Sequence, residues 1–300
     1  MSVLKNIVSD PKLVYYYSQK AVRSIWIRRL TGGAIARLIG RRDYGGDAEA
    51  SRQVAQELSD EGISFLPSLH LSKEALNEVF RHLADKPVVD LYDGKTSMFV
   101  EHGIPESFTK LSYRTSDILS CSPLMKLAND PLVLNAVTSA LGARPSIGTV
   151  HARWTFGENN PVGAHIGYDD VYHRDADDWR FIKLFVYLTD TTQRSGAHCF
   201  VRKSHLSDKL MRRGPIPEEE LAQCFKPDEV MTIEGDAGTA FLENTWGIHR
   251  QLMATEGRRL LFSVLYGLCP WLPWRLKQAT LPLPSGFDPY VNRAFYIPPR

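Results

Sequence analysis

The run Phe181-Ile182-Lys183-Leu184-Phe185-Val186-Tyr187-Leu188-Thr189, followed by the polar turn Asp190 to Gly196 and then His198-Cys199-Phe200-Val201, decides the reading of the fold. Short apolar runs bounded by turn residues are strand signals. Outward from here the same texture recurs at Ser146 to Phe156, Val230 to Ile233, Gly238 to Leu242 and Leu260 to Leu268. The intervals leave no room for helices between the strands, which argues against a parallel α/β sheet. The expectation is an all-β core with added helices: a double-sheet jelly-roll barrel, one face covered by an N-terminal helical region.

Upstream of Gly142 the texture is helical. Asp47 to Leu83 is broken by Gly62-Ile-Ser-Phe-Leu-Pro67, which reads as a strand between helices, and Ser72 and Asp130-Pro131 mark helix starts. Leu13 to Ile39 reads as two short amphipathic helices interrupted by Gly32 and Gly33. Four segments are expected: a basic amphipathic extension (1–45), a helical region packing on the barrel (46–145), the barrel core (146–270) and a Pro/aromatic-rich tail wrapping it (271–300).

Net charge is +2, which gives nucleic-acid binding no global support, but between Met1 and Gly45 nine Lys/Arg face two Asp. Two readings of this segment stand open: packing on the main domain with its charges in water, or contact with a membrane surface or an acidic partner. A hydrophobic content of 43% supports a sizeable core. No secretory pattern or membrane-length apolar run appears, and the four cysteines lack metal or disulfide spacing, so a cytoplasmic setting is expected.

Tyr172-His173-Arg174-Asp175 places an imidazole and a carboxylate two positions apart, on one face of an extended chain. His249, after the turn-strand-turn run that begins at Gly235, is the candidate third ligand of a facial triad of two histidines and one carboxylate. The acidic surroundings Asp169, Asp170, Asp177 and Asp178 leave a solvated turn or an oxygen-ligand cation site as other readings. Arg259 opens the strand that follows, and its planar fork suits the carboxylate of a dicarboxylic cosubstrate. Arg258 points to the opposite face, so only one of the two can serve.

The HxD of His173 and Asp175, the strand ending Tyr187-Leu188-Thr189-Asp190, the Ser195-Gly196 turn running to Ser204-His205, the Gly235-Asp236 turn, His249 and Arg259 together resemble the phytanoyl-CoA dioxygenase-like family of Fe(II)/2-oxoglutarate oxygenases. The likeness spans about Thr149 to Tyr266; Arg202-Lys203 stands where the family has Pro-Gly, and the interval from His249 to arginine is one shorter than in some relatives. The resemblance implies a double-stranded β-helix, Fe(II), 2-oxoglutarate and O2, with succinate and CO2 released. It also implies cosubstrate contacts from Thr155 and Lys183, with His151 and Arg153 on the same strand face as Thr155. A carboxylate at Asp175 argues against halogenation, which in this family needs that position vacated.

The substrate is expected to be a small molecule. Arg153, Arg174, Arg180 and Lys183 near the expected mouth would favour an anionic one, although solvated charges explain them equally. Arg153, His151 and Arg180 are the substrate-binding candidates. The rival reading is a jelly-roll metal- or ligand-binding protein without turnover.

Overall fold

The computed structural model describes residues 13–69, 71–92, 94–163, 166–212, 214–269 and 281–297. Helices α1 (Leu13–Ala21), α2 (Ile25–Ile39) and α3 (Ala48–Asp60) precede the short strand β1 (Ile63–Phe65). Helix α4 (Lys73–Ala84) leads to strands β2 (Val88–Asp90), β3 (Ser97–Met98) and β4 (Lys110–Tyr113), then helices α5 (Thr115–Leu119), α6 (Ser122–Ala128) and α7 (Pro131–Leu141). The long strand β5 (Ser146–Phe156) and β6 (Phe181–Tyr187), β7 (His198–Val201), helix α8 (Glu218–Cys224), β8 (Val230–Ile233), β9 (Ala240–Glu243), β10 (His249–Gln251) and β11 (Arg258–Gly267) follow. Two-residue strands β12 (Leu281–Pro282) and β13 (Tyr296–Ile297) pair in the C-terminal segment. The expected course of 1–12, 271–280 and 298–300 lies outside the described residues.

Helix ends follow the expected chemistry. Asp47, Ser72 and Asp130 accept backbone N–H bonds at the starts of α3, α4 and α7, and Gly142 closes α7 at φ 78°. At Gly32-Gly33 the expectation of a break fails, because α2 runs through both. The interruption is at Val22–Ser24 instead. A Cβ on Gly32 would come within 2.8 Å of Arg180 Cγ, so this glycine permits a close approach of helix to side chain.

One eight-stranded antiparallel sheet runs β1-β9-β6-β11-β5-β4-β2-β3, and a three-stranded antiparallel sheet runs β10-β7-β8. Segment 46–145 therefore supplies four strands of the large sheet as well as helices. Alternation sorts the long strands into two faces. Ala152, Trp154, Leu184, Val186, Phe262 and Val264 join the helix-side core with Leu58 of α3, Leu83 of α4 and Val137 of α7. Phe185, Tyr187, Phe241 and Leu261 turn the other way and meet Phe200 and Ile233 of the small sheet. Each such burial stabilises by about 1.5–3 kcal/mol. A space between the sheets remains open at one end, lined by the inward residues of β5, β6 and β11.

Candidate metal centre

His173 and His249 face each other as an antiparallel pair, with both backbone N–H groups donating across to carbonyls at 3.0 Å. Asp175, two residues on, is tied by its own N–H to Thr245 O at 2.9 Å. One ligand atom from each of the three side chains lies within 4.8 Å of the others. His173 Nδ1 donates to Val171 O at 2.7 Å and His249 Nδ1 donates to Gly247 O at 3.0 Å. Both rings are thereby fixed in the tautomer that leaves Nε2 a bare lone pair. His173 Nε2 is 3.9 Å and His249 Nε2 3.4 Å from the Asp175 carboxylate. These donors fit a divalent cation of the imidazole-carboxylate class with further positions open.

Electrostatics treat the two rings differently: burial opposes charge on His249, but the Asp175 carboxylate outweighs it and raises this imidazole above its ordinary value. Burial, then the neighbouring His249, pushes His173 down to about 4, so it stands neutral at physiological pH. Burial opposes ionisation of Asp175, but the Lys183 ammonium, followed by His249, outweighs it and holds the carboxyl well below its ordinary range. Lys183 Nζ sits 2.6 Å from Asp175 Oδ2 and 3.1 Å from Asp177 Oδ2. Lys183, for which the resemblance implies a cosubstrate contact, thus has carboxylates of the HxD loop as its partners.

Arg259 is 1% exposed and points into the same cavity, whereas Arg258 lies on the exposed face near Glu158. Strand parity thus separates the two arginines. Arg259 donates to Gly196 O and to Gln251 Oε1, with Thr155 Oγ1 at 3.5 Å. Its Nε is buried without a partner among the described residues. Thr155 and Arg259 are direct cross-strand partners on β5 and β11. Gln251, which sequence reasoning missed, links this cluster to the triad. It shares β10 and its buried face with His249, two residues away, or about 7 Å along a strand. That i, i+2 step was the available signal.

The cavity has a volume of about 350 Å³. His151 and Arg153 line it beside Thr155. Burial, then Arg153 and Lys183, holds His151 well below its ordinary value, so its imidazole is neutral. Arg153 has Asp169 at 3.6 Å, and its Nε is buried without a partner among the described residues. Two buried pairs were not anticipated: Lys110 with Asp170 at 2.6 Å, and His198 with the fully buried Glu243 at 2.8 Å.

Arg180 and Arg174 are corrections. Arg180 immediately precedes β6 with the parity of the helix-facing Ile182 and Leu184, and donates to Leu141 O and Arg29 O, in a different cavity. Arg174 alternates with His173 and Asp175 and so turns away from the triad, where it donates to the carbonyls of Ser204, Trp246, Ser207 and Lys209.

The sequence matches no family model and no curated protein. Solved structures do resemble it. EctD from S. alaskensis, with 2-oxoglutarate and 5-hydroxyectoine, is 18% identical with a TM-score of 0.51, over 80% of this chain and 84% of that one. HygX from Streptomyces hygroscopicus, with nickel, 2-oxoglutarate and hygromycin B bound, is 18% identical with a TM-score of 0.50, over 75% and 90%. The non-heme alpha ketoglutarate dependent epimerase SnoN from nogalamycin biosynthesis is 18% identical with a TM-score of 0.50, over 73% and 84%. At this identity the likeness is one of fold: a mostly antiparallel β core with flanking helices.

Proposed function

We propose that this chain is an Fe(II)- and 2-oxoglutarate-dependent oxygenase of the double-stranded β-helix type, acting on a small molecule. The observation that carries the reading is the spacing on β10. His249 belongs to the metal set, and Gln251, two residues on, is bound to Arg259. A step of about 7 Å between them suits a five-carbon dicarboxylate held at both ends. The phytanoyl-CoA dioxygenase-like pattern of the sequence and the 2-oxoglutarate bound in HygX and EctD support the same reading.

Within this reading His173, Asp175 and His249 hold the metal, and Arg259 with Thr155 holds the far carboxylate of the cosubstrate. When bound, the metal, 2-oxoglutarate and O2 supply the oxidising chemistry, with succinate and CO2 as products of the cosubstrate. The chain does the rest. Carbonyls of Val171 and Gly247 fix the ligand rings, and Lys183 orients the Asp175 carboxylate from behind. Phe185, Leu261 and Leu265 supply apolar wall to a cavity otherwise lined by polar groups and limit water around the reacting atoms.

Hydroxylation is the simplest outcome for this arrangement. For the substrate, Arg153 and neutral His151 are the polar contacts we assign, because both line the cavity and Arg153 retains an unpartnered N–H. An anionic group on the substrate fits Arg153 best, since its ion pair with Asp169 is long at 3.6 Å whereas Lys110 and Lys183 hold carboxylates at 2.6 Å. The 146–270 segment is the catalytic core in this account. The four free cysteines, two of them buried, support a reducing, cytoplasmic setting.

The test is turnover. Protein loaded with Fe(II) should convert 2-oxoglutarate to succinate in an O2-dependent way, slowly without substrate and faster when a screened compound fits. Well-folded, metal-loaded protein that forms no succinate under O2 across such a screen would favour the ligand-binding alternative.

A further inference from the structure

We propose that α2 is an interfacial helix that docks the protein on an anionic lipid surface. Its buried side is set by Arg28, Gly32 and Ala36, at i, i+4 spacing. The outward side carries a second stripe at the same spacing: Trp26, Leu30, Ala34 and Leu38, joined by Ile27. Trp26 is 71%, Leu30 56% and Leu38 89% exposed. Single exposed apolar residues need no explanation, but a continuous helical stripe of large ones does.

Charge identifies the occupant. Arg23, Arg29, Arg37 and Arg41 are all exposed along or beside this helix, and no Asp or Glu occurs between Lys12 and Arg42. An exposed apolar stripe flanked by arginines, on a segment without acidic residues, is the pattern of a helix lying in a headgroup layer, its large side chains among acyl chains and its arginines on phosphates. A second copy of the chain fits worse, because an isologous contact would bring the same arginines against one another.

A cavity of about 350 Å³ lined by Lys20, Val22 and Arg23 at the junction of α1 and α2 also reaches Tyr168, Asp175 and Asp177. The last three line the metal cavity as well. The N-terminal end of the docking helix thus borders a cavity that it shares with Asp175. The docking does not rest on the reaction proposed above.

The experiment is co-sedimentation of the full, metal-loaded chain with vesicles of phosphatidylcholine and phosphatidylglycerol at low and high salt. The proposal expects partition into the anionic vesicles at low salt, weaker partition at high salt, and little into phosphatidylcholine alone. Replacing Trp26, Leu30 and Leu38 together by Ser, or making Arg29→Glu with Arg37→Glu, should reduce partition about tenfold or more. Melting temperature and metal binding should stay as in the parent, showing that these variants remain folded. No partition at low salt, or partition that the Ser triple variant retains, overturns the proposal. So does a dimer in size-exclusion chromatography that the same triple variant dissolves, which would assign the face to a second copy.

Discussion

Arg259 keeps a guanidinium inside the protein by resting it on Gly196 O and Gln251 Oε1, with one buried N–H left over. If that N–H and its neighbours grip a carboxylate, Arg259→Ala loses charge-assisted hydrogen bonds worth about 1.5–3 kcal/mol each. The expected result is at least ~10-fold weaker 2-oxoglutarate binding by calorimetry, with metal binding retained, and Arg259→Lys should not restore it because the fork is lost. Gln251→Leu keeps the shape and removes the acceptor, so a smaller loss of about 2–10-fold is expected. Unchanged cosubstrate affinity in both would disconnect this cluster from the site. Strand parity set Arg258 and Arg259 on opposite faces without saying which of them turns inward, whereas the pairing of His173 with Asp175 was legible across one intervening residue. Gln251 was marked only by its i, i+2 spacing from His249, a weak signal because an amide has no distinguishing chemistry in sequence and β10 itself was not legible as a strand. The misplacement of Arg180 came from nearness in sequence being taken for nearness in space, although the parity of Phe181 to Tyr187 already pointed it at the helices.

Helices α1 and α2 are anchored to the loop that carries Asp175, and the anchor is Arg28. Only 4% exposed, it donates to Gln19 O and Asp178 O and lies 4.0 Å from the centre of the Trp246 ring. Tyr15 OH donates to the Asp178 carboxylate at 2.7 Å. Arg28→Ala leaves buried carbonyls without donors and removes the ring contact, a loss of about 2–4 kcal/mol. Hydrogen exchange should then speed up in α1, α2 and the Asp175 to Asp178 loop together; acceleration confined to α1 and α2 would show that the loop does not depend on them. Gly62, before β1, is held at φ +87° with His205 Nδ1 and Phe200 within 2.7 Å of where a Cβ would sit. Gly62→Ala is expected to destabilise by roughly 2–3 kcal/mol through strain and overpacking together, read as a lower denaturation midpoint. The strands Ser146–Phe156, His198–Val201 and Val230–Ile233 were legible to their ends because turn residues bracket alternating or apolar runs. By contrast β10 was not, since Ile248-His249-Arg250-Gln251 has no periodicity of its own and becomes a strand only by pairing with β7.

At the scale of the described molecule, one sheet separates two environments: an apolar core against the helices and a half-polar cavity lined by charged side chains and the triad. A two-faced antiparallel sheet lets a stable core coexist with groups that oppose burial, such as Lys183, Glu243 and Arg259. The layered β core was legible from the spacing of strands. That strands from 46–145 extend the large sheet was not, since β2, β3 and β4 are short and gain their identity from pairing with one another and with β5. Ligands that bind only the folded chain should raise its stability, by about 2.7 kcal/mol at a hundred times their dissociation constant. A divalent metal with 2-oxoglutarate should therefore lift the melting temperature by roughly 5–10 °C, and His249→Ala should abolish most of the shift.

The most direct measurement is an anaerobic titration of the purified chain with Fe(II) and 2-oxoglutarate, followed by visible absorption, with His249→Ala and Arg259→Ala alongside. A weak charge-transfer band is expected that saturates with both additions, vanishes in His249→Ala and requires far more 2-oxoglutarate in Arg259→Ala. A well-folded protein that takes up Fe(II) and shows no band on saturating 2-oxoglutarate, or a band indifferent to both substitutions, would contradict it.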